Sequence, residues 1–160
     1  MPCFLFTYHA HGTWLPNRQQ GYVKRGQGIL PPDGRMYGLY VRSMKEPAII
    51  FHGEHQLDLI REVLNASSHQ SFEPYGIATD STHIHILLGW RDIKAAKSRS
   101  SSIKWSLSHS LKEKYEKRDW LSEGGSCKQV KNQQHFDYLR YKYLPKHNGW
   151  KWQPEKGLYR

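Results

Sequence analysis

The stretch "THIHILLGW", residues 82 to 90, constrains the fold of this chain more tightly than any other. It alternates as a strand does, and residues two apart on a strand share a face. His83, His85 and Leu87 therefore line one face, while Ile84, Ile86 and Leu88 line the other. The even-numbered face is apolar throughout and must be buried against helices. The odd-numbered face carries two imidazoles close enough to hold one metal ion in neighbouring coordination positions. Imidazole nitrogen suits Zn, Mn, Fe, Ni and Cu better than Mg or Ca, although a site completed by phosphate oxygens and water accepts Mg. An isolated His-x-His is equally what the solvated face of a sheet carries. A second pair, His9 and His11 in "YHAHGTW", has the same spacing, but His11 abuts Gly12 where the strand pattern ends. Only one member of that pair is firmly on a strand, which favours His83 and His85.

The other apolar positions supply the rest of a sheet and its helices. "CFLFTYH" at 3 to 9 places Phe4, Phe6 and Tyr8 on one face and Leu5, Thr7 and His9 on the other, which predicts an opening strand. From Gly12 to about Gly38 no period is sustained, and a long basic loop over 12–47 is expected, carrying Lys24, Arg25 and Arg35. "PAIIF" at its end suggests a short strand. Leu57, Ile60, Val63 and Leu64 predict an amphipathic helix from about Glu54 to Ala66. "YGIATD" alternates and should pair with "THIHILLGW" as a hairpin. Ile103, Leu107, Leu111 and Tyr115 recur every four residues and mark a second helix within 93–117, its first half carrying Lys94, Lys97, Arg99 and Lys104. After "EGGS", "SCKQV" reads as a short strand. Asn132 then caps a third helix with Phe136, Leu139 and Tyr143 on its apolar side, and Pro145 ends or kinks it near Leu144. The order β-α-β-β-α-β-α fits an α+β, ferredoxin-like split-βαβ sheet backed by helices, with a C-terminal tyrosine-bearing helix. At 160 residues the chain makes one domain, 1–149, followed by a basic aromatic tail, 150–160.

Charge narrows the partner. Lys and Arg number 24 against 14 Asp and Glu, a formal charge of +10, and such a field favours nucleic acid or an anionic membrane. The 6 Trp and 10 Tyr interleaved with basic residues suit single strands, whose exposed bases stack on aromatic rings. No apolar run approaches the roughly 20 residues of a spanning helix. "MPCFLFTYHAHG" lacks the basic start and long apolar stretch of a leader, so a cytoplasmic protein with no membrane partner is expected. Cys3 and Cys127 form no Cys-x-x-Cys and are read as core thiols.

Chemistry on a phosphodiester also needs a nucleophile, either water or a side chain. The third helix offers Tyr138, Tyr141 and Tyr143. A phenol with a pKa of about 10 needs a nearby cation or proton acceptor to attack at neutral pH, and Lys142, Lys146 and a metal are the available helpers. Tyrosines at helical spacing also serve as packing residues.

Together, "FTYHAHGTWL" at 6–15, the His-hydrophobic-His stretch "THIHILL" at 82–88, "EGGS" at 123–126 and "YLPKHNG" at 143–149 resemble the single-tyrosine HUH transposases of the IS200-like and REP-associated kind, over roughly residues 4–149. The resemblance implies an HUH-endonuclease-like fold in which His83 and His85 bind a divalent metal, Mg or Mn. His147 stands where a polar residue commonly completes the metal site. Tyr143 matches the nucleophile, with Tyr138 of "YLRYK" the alternative alignment. The implied reaction is attack on single-stranded DNA to leave a 5'-phosphotyrosine and a 3'-hydroxyl. Hairpin-bearing DNA, a homodimer and a prokaryotic, nucleoid-associated setting are implied with it. The chain departs from the family at Thr82, where Asn often precedes the first histidine, and at Pro145, which interrupts the helix between Tyr143 and His147. DNA contacts are expected from Lys24, Arg25, Lys97, Arg99, Lys104, Lys142 and Lys146, with Trp150 and Trp152 stacking on bases. A solvated basic face accounts for the lysines equally well.

Two other readings stand beside this one. The first is a binding module of the same fold without catalysis. The second is a metal-independent, two-histidine phosphoesterase built on His11-Gly12-Thr13 and His69-Gln70-Ser71.

Overall fold

In the computed structural model of the chain, strands β1 (Cys3–His9), β4 (Glu73–Thr79) and β5 (His83–Gly89) form the centre of the sheet. β5 lies between β1 and β4 and is antiparallel to both, so β1 and β4 run parallel with a strand inserted between them. Helix α1 (Gly53–Gln70) makes the crossover from β1 to β4, which is the split-βαβ unit. Helix α2 (Ala96–Lys114) returns the chain to β6 (Ser126–Gln129) on the far side of β1. β2 (Tyr22–Lys24) and β3 (Gly28–Leu30) form a separate two-stranded hairpin. β7 (Lys151–Gln153) and β8 (Gly157–Tyr159) complete a six-stranded sheet of order β6-β1-β5-β4-β7-β8. The structure describes residues 1–13, 22–24, 28–30, 34–35 and 47–160.

Alternation sorts the sheet's side chains as expected. Phe6, Tyr8, Ile84, Ile86 and Leu88 join Leu59, Ile60 and Val63 of α1 and Ile103, Leu107 and Leu111 of α2 in the main core. The opposite face is not simply solvated. Leu5, Ala78 and Leu87 pack there against Leu139 and Leu144, in a smaller cluster beneath the C-terminal helical segment. That segment begins at α3 (Gln133–Tyr138), where the Asn132 side chain accepts from the backbone N–H of His135. It widens into a π turn at Leu139–Tyr143 and tightens into a 3-10 turn at Leu144–Lys146. Residues five apart on an α-helix diverge by about 140°, so Leu139 and Leu144 could not both face the sheet on one. The wider turn, closed by the Leu144 N–H donating to the Leu139 carbonyl, puts both on it. Gly76 makes room below, since a Cβ there would lie 2.8 Å from Leu144 Cδ1.

Several expectations are corrected. The long loop contains the β2–β3 hairpin, with Lys24 at the end of β2; Arg25 lies outside the described residues. "PAIIF" forms no strand: Ile49 and Phe51 are buried and donate isolated backbone bonds to His11 and Ser81. Residues 150–160 are not a tail, because β7 and β8 extend the sheet. Trp150 and Trp152 are half-buried against the main core instead of open to bases. Cys127 is exposed on the edge strand and Cys3 is only half-buried, so neither is a core thiol. Arg99 leaves the DNA-contact set altogether. It is 1% exposed beneath α2, its guanidinium donating to the Gln70 carbonyl and the Asp92 carboxylate over the Trp90 ring. A guanidinium buried this deeply is out of reach of a phosphate at the surface, although its Nε has no hydrogen-bond partner of its own.

Candidate active site

β5 delivers His83 half-buried at its start and His85 one pleat further in, at 6% exposure. His147 arrives from the extended residue that follows the 3-10 turn. One ring nitrogen from each lies within 4.8 Å of the others. Pro145 does not prevent this convergence, because the chain passes through it in 3-10 geometry. The Nδ1 atoms of all three rings are already engaged. That of His147 is 3.1 Å from the Leu144 carbonyl, that of His83 3.0 Å from Thr82 Oγ1, and that of His85 2.7 Å from Thr7 Oγ1. A carbonyl only accepts, so His147 must donate from Nδ1 and keep its lone pair on Nε2.

The donor set fits a divalent ion. Three imidazoles suit Mn and similar metals directly, while Mg would depend more on oxygen ligands from a substrate and water. Burial, reinforced by the neighbouring His83, His147, His9 and Lys128, drives the pKa of His85 down to about 2. It is thus held as the neutral imidazole that ligation requires.

Among the described residues, Tyr143 is the tyrosine brought to this cluster. Its hydroxyl lies 3.3 Å from His85 Nε2, and its ring is 5.3 Å from that of His85 and 5.1 Å from that of His147. Burial, and then the proximity of Tyr138, raise its pKa, so the phenol holds its proton at neutral pH until a cation or acceptor intervenes. Tyr138 is half-exposed, its ring 6.4 Å from that of Tyr143. Tyr141 is exposed beneath the Arg140 guanidinium.

The basic residues separate into two groups. Lys142 and Lys146 are exposed on the segment that carries Tyr143. Lys97 is exposed on α2, across the sheet from the histidines, and Lys104 donates to the Gly124 carbonyl at 2.8 Å, tying α2 to the "EGGS" turn. Burial lowers the pKa of Lys104.

Of three further residues near the cluster, Thr7 and Lys128 were not singled out from sequence, and His9 was set aside there in favour of His83 and His85. Thr7 pairs with His85 in the β1–β5 ladder and bonds its ring. His9 pairs with His83, ring to ring at 5.8 Å. Lys128 pairs with Leu5 across β1 and β6 and so stands on the histidine face. The alternation of β1 places Thr7 and His9 on the right face, but the register that sets them beside particular histidines is a tertiary fact. The two-histidine phosphoesterase reading is overturned: His11 lies beyond the end of β1 and His69 in the last turn of α1, at opposite ends of the sheet.

Fold and site together define a split-βαβ protein whose second sheet face is closed by a tyrosine segment over three histidines. The sequence matches no protein-family model and no curated protein. Among solved structures, the fold is similar to that of a REP-associated tyrosine transposase bound to a REP hairpin, with a TM-score of 0.51 and 12% identity. The similarity covers 90% of this chain and 66% of that one. The chain shares the fold of that transposase and spans just under two thirds of its length. No helix among the described residues is long and apolar enough to cross a membrane.

Proposed function

We propose that the protein is a metal-dependent nickase and strand-transfer enzyme of the single-tyrosine transposase type, acting on single-stranded DNA that bears a hairpin. The observation that carries this reading is the Tyr143 hydroxyl, 3.3 Å from His85 within the cluster of His83, His85 and His147. The fold shared with a transposase bound to a REP hairpin supports the choice of DNA.

His83, His85 and His147 would hold the ion, Mn or Mg. Once bound, a divalent ion polarises a phosphoryl oxygen and offsets the charge that develops on it. The Tyr143 oxygen attacks the scissile phosphorus. The bond from phosphorus to the 3'-oxygen breaks, leaving a free 3'-hydroxyl and a 5'-phosphate joined to the tyrosine. The phosphodiester is conserved in that linkage, so rejoining to another 3'-hydroxyl needs no external energy source. Leu139 and Leu144 anchor the tyrosine, while Lys128, Lys142 and Lys146 supply positive charge for the strand on the same face.

The test is a labelled single-stranded oligonucleotide drawn from the DNA flanking the protein's own gene, incubated with Mn. A covalent protein–DNA adduct is expected, lost in Tyr143→Phe and on chelation and retained in Tyr138→Phe. If none of the flanking sequences yields an adduct while a hairpin is still bound, the protein is a binding module of this fold. The same reading expects a homodimer, which sedimentation with and without hairpin DNA would reveal.

A further inference from the structure

We infer that Thr7 is a positioning residue for this site: its hydroxyl accepts from His85 Nδ1–H and thereby fixes the tautomer that turns an Nε2 lone pair toward Tyr143 and the other imidazoles. The consequence for metal binding rests on the function proposed above, whereas the tautomer is a property of the metal-free chain.

Thr7 and His85 are register partners on adjacent strands, both 6% exposed, with Oγ1 and Nδ1 2.7 Å apart. A hydroxyl can donate or accept, so this contact alone permits either tautomer of His85. The far edge of the ring decides between them, because the partner of one ring nitrogen sets the state of the other. His85 Nε2 faces the Tyr143 hydroxyl at 3.3 Å. A phenol is a better donor than an aliphatic alcohol, and its oxygen is a poorer acceptor because its lone pair is delocalised into the ring. Tyr143 therefore donates to Nε2, Nδ1 carries the hydrogen, and Thr7 accepts it.

The neighbouring rings are consistent with this assignment. His147 is fixed as the Nδ1–H tautomer by the Leu144 carbonyl, and His83 meets Thr82 through the same atom. A metal ligated through Nε2 of His85 needs the tautomer that Tyr143 and Thr7 hold between them, Thr7 by accepting the Nδ1 hydrogen, so the metal-free chain is already arranged for it. The position itself argues for a specific role. A buried strand site between Phe6 and Tyr8 would suit Val or Ile on packing grounds, and a hydroxyl there costs stability unless it is bonded.

Thr7→Val keeps the branched shape and removes the hydroxyl, whereas Thr7→Ser keeps the hydroxyl. Two measurements are made on each: nitrogen-15 NMR of the histidine rings without metal, and Mn titration followed by electron paramagnetic resonance. The wild type and Thr7→Ser should show His85 protonated at Nδ1. In Thr7→Val the ring should shift toward the Nε2–H form, with Mn affinity falling about 10- to 100-fold. Affinity in Thr7→Ser should return to within a few-fold of wild type. An unchanged tautomer in Thr7→Val, or a wild-type His85 protonated at Nε2, overturns the inference. If the wild type binds no Mn, the metal-site reading fails while the NMR comparison still decides the role of Thr7. Should Thr7→Val not fold, Thr7→Ala carries the same comparison.

Discussion

The even-numbered face of β1 and β5 is covered by two long helices, whereas the odd-numbered face is covered by a short segment that changes helical geometry twice between Gln133 and Lys146. On the first face, isoleucines and leucines from sheet and helices fill a continuous core, and Arg99 with its partners is locked beside it. On the second, among the described residues, the buried apolar cluster is Leu5, Ala78, Leu87, Leu139 and Leu144, and it sits beside a row of Thr7, His9, His83 and His85. One face stabilises the sheet. The other uses just enough apolar contact to hold a tyrosine against histidines, of which His83 and His147 stay only half-buried.

The sharpest way to break this division is Tyr143→Phe. Covalent adduct should fall to background, while stability changes by no more than the roughly 0.5–1.5 kcal/mol of one hydrogen bond, read by denaturant titration. A stability loss matching a core deletion would instead make Tyr143 a packing residue. Next in size is a matched pair of leucine-class truncations. Ile86→Ala on the helical face should cost about 2–5 kcal/mol and leave the adduct yield per folded molecule unchanged. Leu144→Ala removes a side chain equally buried, yet it loosens the element carrying Tyr143, so adduct yield should fall further than the unfolded fraction accounts for. Equal behaviour of the two variants would erase the distinction between the faces.

Acid should act on His85 and Asp58, one on each side of the sheet, through different windows. His85 has its pKa pushed far below the ordinary 6.5, mainly by burial. The unfolded chain therefore binds a proton that the folded chain refuses, and this stabilisation is complete above pH 6.5 and lost as pH falls below it. The slope is at most about 1.4 kcal/mol per pH unit. Asp58, between the helices, is held below the ordinary 3.8: burial pushes it up, but Lys114, Tyr115 and Arg61 outweigh that. Its contribution is present above pH 3.8 and lost only below it. Denaturant titrations on metal-free protein should show a slope between pH 6.5 and 4 that His85→Gln reduces and Asp58→Asn does not, the remainder coming from His55, which burial also holds below 6.5. The reverse pattern would reassign the acid sensitivity to the helices.

Much of the sheet was legible in the sequence, because period-two alternation in "CFLFTYH" and "HIHILL" states which residues turn toward which layer. The histidine pair and Tyr143 stood out by their motifs, and the fold brings them together. Their separation could not be read there, since it depends on a π turn for which an α-helical period leaves no signature. Thr7 and His9 were visible as residues on the correct face, but only the β1–β5 register makes them neighbours of His85 and His83. Arg99 shows the opposite failure. Charge and position on α2 suggested a phosphate contact, and burial over Trp90 assigned the guanidinium to the fold. The strands at 151–153 and 157–159 were too short for alternation to register, so a piece of sheet read as a tail.

The smallest effect concerns where DNA would run under the proposed function. Lys142 is exposed beside Tyr143, and Lys97 is exposed on α2 at the other side of the sheet. A lysine that neutralises one phosphate of a single strand contributes about 0.7 to the slope of log affinity against log salt. If the strand crosses only the histidine face, Lys142→Ala should reduce that slope by about 0.7 and weaken binding most at low salt, whereas Lys97→Ala should leave both unchanged. Fluorescence anisotropy with a labelled single-stranded hairpin between 50 and roughly 200 mM salt is sufficient to measure it. A slope that falls in Lys97→Ala as well would mean that the DNA wraps past the sheet edge onto the helices. The basic half of α2 would then regain the phosphate-facing role its sequence suggests, even with Arg99 committed to the fold.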